Sequence, residues 1–309
     1  MSQTGFSFDQ DGKFKIMQLT DTHYTNDDEN DHRTLRVMEE CIEAESPDFI
    51  IVTGDLVWGK NNLNYLEKAV SPLTKSGIPW SFVFGNHDIE FGGTEEGFFG
   101  RLAKSPGFVG FHDERCEDRY GNHMFPVYGR NGELRWVIAC INSGQYNPDK
   151  RVGGYSYVTR AQQDWYQERI LAYEEENRDF SVLAFQHIPV PEIEEVWRFE
   201  HTYGNHIDEF CAPNVNSGQF LRMVEDGHTK GLFFGHDHCN SFYGKRFGVT
   251  LGYGRYTGFG CYGPEDFARG ARVFALSETD TENFETWEIL EGKRRFTPWH
   301  GVPNTVKRI

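Results

Sequence analysis

Five times along this chain an apolar run of strand length stops abruptly in a polar cluster. KFKIMQLT (13–20) ends in Asp21 and His23, DFIIVTG (48–54) in Asp55, and PWSFVFG (79–85) in Asn86, His87 and Asp88. FSVLAFQ (180–186) ends in His187, and KGLFFG (230–235) ends in His236 and His238. Near-continuous hydrophobicity is what a strand needs when both faces of its sheet are covered. The runs therefore read as buried strands with polar residues at their C-terminal ends. Helical patterns lie between them. Residues 31–45 space Leu35, Met38 and Ile42 by three and four, with Pro47 as the stop; 62–75 put Leu63, Leu66 and Val70 on one face; 159–176 open with Thr159 and Gln162, a capping-box pair. Alternating strands and helices imply parallel pairing through right-handed crossovers. Ligands of such sheets gather beyond the strands' C-terminal ends, so the five clusters are expected to converge.

The segments 108–143 and 240–290 change character and read as short antiparallel strands separated by Gly- and Asn-containing turns. They imply a second sheet packed on the first, with helices outside. Residues 192–218 follow a Pro-rich corner and show no clear periodicity, so they are expected to form an irregular excursion over the site. No repeat or linker divides the chain, and residues 1–309 are expected to form a single domain.

Composition narrows the function classes. The 309 residues can bury a large core, and the 15% aromatic content suits one rich in strands. A formal charge of −16, from 31 basic against 47 acidic residues, argues against a nucleic-acid backbone or an anionic membrane as partner. Cysteines at 41, 116, 140, 211, 239 and 261 form no C-x-x-C pair and read as thiols of a reducing compartment. MSQTGFSFDQDGKFK lacks the apolar segment of a secretory signal, and no run of about 18 apolar residues spans a membrane. A cytoplasmic protein is expected.

The converging clusters hold three carboxylates (Asp21, Asp55, Asp88), one amide (Asn86) and five imidazoles (His23, His87, His187, His236, His238). Any one of these alone is more often a cap, a turn residue or a hydrogen-bonded core histidine. Five strand ends at once require five coincidences. Oxygen and imidazole donors without thiolate suit Fe, Mn and Zn. Nine groups exceed the needs of one ion, whereas two ions sharing a bridging carboxylate would use most of them.

Taken in order, D-T-H (21–23), G-D (54–55), G-N-H-D (85–88), His187 and G-H-D-H (235–238) resemble the calcineurin-like metallophosphoesterase superfamily. H-I-P-V-P-E (187–192), N-S-G (216–218), G-H-D-H-x-N (235–240), G-R-Y-T-G-F-G-C-Y-G (254–263) and R-G-A-R-V (269–273) resemble a subgroup within it. That subgroup contains plant purple-acid-phosphatase-like proteins and fungal phosphatases related to a dosage-dependent cell-cycle regulator. The resemblance implies an α/β fold, a four-layer α-β-β-α sandwich of two mixed sheets packed face to face. It implies two di- or trivalent transition-metal ions, Asp21, His23 and His238 holding one, Asn86, His187 and His236 the other, and Asp55 both. It makes His87 the histidine that contacts phosphate and protonates the leaving oxygen, with Asp88 expected to orient it. A small phosphate ester is the expected substrate, a monoester ahead of a diester such as a cyclic nucleotide, with a non-catalytic scaffold as the remote alternative. The purple enzymes carry a tyrosine three residues after the bridging aspartate, where this chain has Trp58, so no tyrosinate–iron colour is expected. Arg255 and Asn240 are candidate substrate contacts. In the row GHDHC, His236 and His238 are expected to serve two neighbouring ions, Asp237 to make a loop or supporting hydrogen bond, and Cys239 to be a plain buried thiol.

Overall fold

The computed structural model describes residues 5–297. The chain enters through β1 (Phe6–Ser7) and β2 (Lys13–Leu19), then runs through α1 (Glu29–Glu45) and β3 (Phe49–Thr53). A 3-10 turn (Asn62–Tyr65), α2 (Leu66–Ala69) and α3 (Ser71–Ser76) lead to β4 (Trp80–Val83) and α4 (Glu95–Leu102). The middle third holds β5 (His123–Tyr128), β6 (Leu134–Cys140), α5 (Arg160–Glu176) and β7 (Ser181–Phe185). Next come α6 (Glu192–Phe199), β8 (Thr202–Tyr203), α7 (Gln219–Asp226) and β9 (Thr229–Phe234). β10 (Tyr243–Arg246), β11 (Val249–Tyr253), β12 (Gly270–Ser277), β13 (Glu285–Leu290) and β14 (Arg294–Phe296) complete it.

Two mixed sheets result, with strand orders β1-β5-β6-β7-β9-β11-β10-β8 and β14-β13-β12-β2-β3-β4. Period-2 alternation sorts the side chains into three cores. Phe14, Ile16, Phe49, Ile51 and Val83 of one sheet meet Trp136, Ile138, Leu183, Phe185 and Phe233 of the other in a buried middle layer. The intervening Met17, Leu19, Ile50, Val52 and Phe82 face Val37, Met38, Ile42 and Leu73 of α1 and α3. On the far side Val137, Ala139, Val182, Ala184 and Leu232 face Trp165, Tyr166 and Ile170 of α5, with Phe220 and Met223 of α7. The runs are continuously apolar because each strand has a sheet on one face and helices on the other.

The five runs do not share one sheet. β2, β3 and β4 pair in parallel in the six-stranded sheet, while β7 and β9 pair in parallel in the eight-stranded one. The antiparallel segments are not a separate second sheet either: β5, β6, β10 and β11 extend one sheet, and β12 to β14 extend the other. Both sheets thus end at the same edge, and cross-sheet hydrogen bonds from Gln18 Nε2 to the Phe234 carbonyl (3.0 Å) and from His187 Nδ1 to the Thr53 carbonyl (2.8 Å) lock them there.

Helix ends follow local chemistry. Asp28 caps α1 and Thr159 caps α5, each with a reciprocal bond from the third helical residue. The helix expected over 62–75 is instead three short pieces: a 3-10 turn runs into α2, and Pro72, with no N–H to continue the ladder, starts a new helix at α3. The stretch 192–218 is less irregular than expected, since α6 opens it and buries Ile193 and Val196.

Candidate metal centre

All seven expected donors stand just beyond strand ends, at the edge where the two sheets meet. Asp21 and His23 follow β2, Asp55 follows β3, Asn86 follows β4, His187 follows β7, and His236 and His238 follow β9. Each of the seven is at most 8% exposed. The turns that aim them are tight. Asp21, His23, Asp55 and His236 have φ of 54°, 44°, 49° and 79°, in the left-handed region that costs a side-chain-bearing residue about 1–3 kcal/mol. Backbone strain concentrated on four donors is a cost met by the packing around them. Gly54 turns with φ of 84°, and a Cβ on Gly235 would sit 2.1 Å from Thr20 Oγ1 and 2.8 Å from Asp21 Oδ2.

The donors fall into two sets that meet at Asp55. In one, His23 Nε2 lies 3.0 Å from His238 Nε2, 3.9 Å from Asp21 Oδ1 and 3.6 Å from Asp55 Oδ2. In the other, His187 Nε2 lies 3.2 Å from His236 Nδ1, 3.1 Å from Asn86 Oδ1 and 3.3 Å from Asp55 Oδ2. Two metal–nitrogen bonds of about 2.1 Å at right angles separate their donor atoms by roughly 3.0 Å, so these spacings are those of ligands around shared ions. Tautomers agree with that. His187 donates Nδ1–H to the Thr53 carbonyl and His238 donates Nδ1–H to the Tyr262 carbonyl at 3.3 Å, which turns each Nε2 inward. His23 and His236 direct Nε2 and Nδ1, respectively, to the other donors, while their opposite nitrogens are buried without a hydrogen-bond partner among the described residues. The residues present fit a pair of cations.

Electrostatics within the cluster are strongly coupled. Burial raises Asp21 to about 7, with Asp55 adding to the rise. Burial would lower His187, but Asp55 and Asp21 overcome it and lift the imidazolium to about 10. Burial opposes the charge on Asp55 too, yet His187, His23 and His87 hold it well below the usual carboxylate range. His236 and His238 are pushed well down, first by burial and then by their imidazole neighbours. An anionic carboxylate between two groups of mostly neutral imidazoles is an acceptor site for positive charge.

Several expected roles move. The Asp88 carboxylate is engaged by backbone, accepting from the N–H groups of Gly85 (2.8 Å), Asp55 (3.0 Å), Leu56 (2.8 Å) and Val57 (3.3 Å). It staples the turn after β3 to the turn after β4. The residue that holds His87 is Glu90, whose Oε2 accepts Nδ1–H at 2.6 Å and also the Trp58 Nε1–H at 3.3 Å. Spacing of three in N-H-D-I-E was the available signal, since a turn brings residue i+3 back over residue i. Arg255 is held inside the fold by protein partners. It is 4% exposed, donates to the Ala268 carbonyl and pairs with Glu288 at 3.1 Å, which also binds Arg272. Asn240 faces the excursion, where its Oδ1 accepts from the N–H of Ile207 (2.8 Å) and Asp208 (3.0 Å). Asp237 accepts from the Tyr253 hydroxyl at 2.6 Å and the Cys211 N–H, a supporting role for the loop. Cys239 is buried, and the Cys211 and Cys261 thiols come within 4.8 Å of donor histidines. Composition had no means of placing those two.

Aromatic rings surround the donors. Tyr256 and Tyr262 stack on the two faces of His238 with centroids 4.2 Å away, and Tyr155 meets His236 edge-on at 4.2 Å. Trp58 lies 5.5 Å from His87 and 6.0 Å from His23.

A family model described as calcineurin-like phosphoesterase matches residues 14–240, from β2 through the last histidines. The chain belongs to the calcineurin-like phosphoesterase family. Its relatives include the protein named probable inactive purple acid phosphatase 14 of Arabidopsis thaliana, 29% identical over 93% of this chain and 82% of that one. Phosphatase DCR2 of Saccharomyces cerevisiae is 25% identical over 75% of this chain and 45% of its own. A dimetal phosphatase from Danio rerio shares the fold with a TM-score of 0.59 at 14% identity, covering 88% of this chain and 98% of that one. Membership of this family implies a dinuclear metal centre, in agreement with the two donor sets. Among the described residues no helix is long and apolar enough to cross a membrane.

Proposed function

We propose that this protein is a dinuclear metal-dependent hydrolase of small phosphate esters, with monoesters as its substrates. The observation that carries the reading is Asp55, a buried carboxylate within 3.6 Å of His23 and 3.3 Å of His187, one donor from each set. Asp21, His23 and His238 would hold one ion, Asn86, His187 and His236 the other, and Asp55 both. When bound, such a pair supplies an activated water and draws charge from the phosphoryl oxygens, and Fe, Mn and Zn all suit the donors. The chain supplies the rest. Thr53 and Tyr262 carbonyls fix the rings of His187 and His238, so donor nitrogens need no reorganisation. Asp55 Oδ1 accepts the His87 N–H at 2.8 Å, which ties the His87 backbone to the centre. Glu90 accepts a hydrogen bond from the Nδ1–H of His87, which keeps that proton on the ring and leaves the Nε2–H to be given to the departing oxygen.

Relatives carry names that include the words probable inactive, while this chain holds a complete donor set and His87. The test is turnover of p-nitrophenyl phosphate and bis-p-nitrophenyl phosphate by the chain loaded in turn with Mn, Fe and Zn ions. Faster monoester hydrolysis is expected. Preference for the diester would overturn the monoester assignment, and no turnover of either by a chain holding two ions would make the protein a scaffold.

A further inference from the structure

The geometry points to a slot for a flat, ring-bearing leaving group, walled by Trp58 and Tyr146 beside His87. This inference rests on the hydrolase reading, because it concerns the group that His87 would protonate. The two rings come from different elements and border the same centre, Trp58 beside His87 and Tyr146 by way of Tyr155 beside His236. Trp58, in the turn after β3, donates Nε1–H to Glu90 Oε2 and sets its half-buried ring 5.5 Å from His87. Tyr146, in the loop after β6, is 48% exposed and bridges Tyr155 across the loop. Its ring is propped by stacking on Tyr155, 5.6 Å away and 24° from parallel, and Tyr155 in turn abuts His236. A large aromatic side chain left half open to water, yet propped by a second ring that abuts His236, presents a face rather than filling a core.

Position decides what that face meets. A phosphoryl group seated by the two donor sets points its leaving oxygen towards the residue that protonates it, His87. The remainder of the leaving group then passes Glu90 and emerges between Trp58 and Tyr146. Offset or edge contacts between aromatic rings add about 0.5–1.5 kcal/mol each beyond area burial, a factor of roughly 2 to 13. An alkyl group of the same charge gains only its area. Esters of phenols are therefore the favoured class over esters of aliphatic alcohols.

The test compares kcat/KM for phenyl phosphate and n-butyl phosphate, which carry the same charge, in the metal-loaded parent and in Trp58→Ala and Tyr146→Ala. Each variant's aryl-to-alkyl ratio is divided by the parent's, and Glu90→Gln, which loosens His87 and leaves both rings in place, gives the change that the proton donor alone would cause, a rise in the ratio rather than a fall. We expect each alanine substitution to lower that ratio by about 2- to 13-fold, with Trp58→Phe and Tyr146→Phe restoring most of it. Ratios unchanged in both alanine variants would overturn the slot while leaving the hydrolase reading in place. Should the parent turn over neither ester, the hydrolase reading fails and the slot is read by calorimetry instead, with phenylphosphonate against methylphosphonate. Preference for the phenyl compound, lost in the alanine variants, supports it; equal affinities overturn it.

Discussion

At the scale of single residues the centre separates donors from their supports, and the two were unequally legible. That Asp21, His23, Asp55, Asn86, His187, His236 and His238 converge was legible because the apolar runs mark the strand ends that carry them. The supports were not, because their roles depend on where a side chain folds back. Asp88 adjoins His87 in sequence but serves four backbone N–H groups, and Glu90, two residues further, binds the ring. Arg255 sat in a glycine-rich stretch that invites a phosphate, yet the tertiary structure seats it on Glu288. Replacing His87 by Ala is expected to lower kcat by roughly 10²- to 10⁴-fold while two ions stay bound. Glu90→Gln is expected to cost less, about 10- to 100-fold in kcat with metal content unchanged, because it loosens the ring without removing it. Steady-state kinetics with metal analysis checks both, and an undiminished kcat in Glu90→Gln would return the ring to another partner.

Elements were legible where one rule dominates. The Thr159 capping box starts α5 where the T-x-x-Q pattern sets it, with Gln162 Oε1 accepting the Thr159 N–H at 3.0 Å. Thr159→Ala is expected to destabilise the chain by about 1 kcal/mol in urea unfolding, as loss of an N-cap oxygen does, and a loss below about 0.3 kcal/mol would show the cap to be idle. Where two rules compete, the pattern misled. Leu63, Leu66 and Val70 have helical spacing, but a 3-10 turn opens the segment and Pro72 starts a new helix within it. Strand partners were the least visible feature. A run covered on both faces looks alike whichever sheet it joins, so nothing local assigns β7 and β9 to one sheet and β2, β3 and β4 to the other.

For the molecule as a whole, the middle core and the metal centre depend on the same interlocking of two sheets, and a buried histidine reports on it. His123 on β5 donates Nδ1–H to the Gly121 carbonyl at 2.8 Å and meets the Ser81 hydroxyl of β4 at 2.7 Å, so it joins the two sheets. Burial lowers it from 6.5 to about 4, with His112 adding to the fall while Gly121 and Asp113 oppose it. A histidine depressed on folding is protonated first in the unfolded chain. Its contribution is therefore complete above the unfolded value of 6.5 and is lost as pH falls towards about 4, up to roughly 3 kcal/mol. Urea unfolding between pH 7.5 and 5 should show a shallower pH slope for His123→Gln than for the parent; equal slopes would mean the ring does not titrate this way. The central claim is that seven donors from both sheets form one centre for two ions, joined by Asp55. Anomalous diffraction from crystals of the Mn-loaded chain tests it most directly. Two peaks flanking the Asp55 carboxylate, one beside His23 and His238 and the other beside His187 and His236, are the predicted result; a single peak, or two that do not share Asp55, would contradict it.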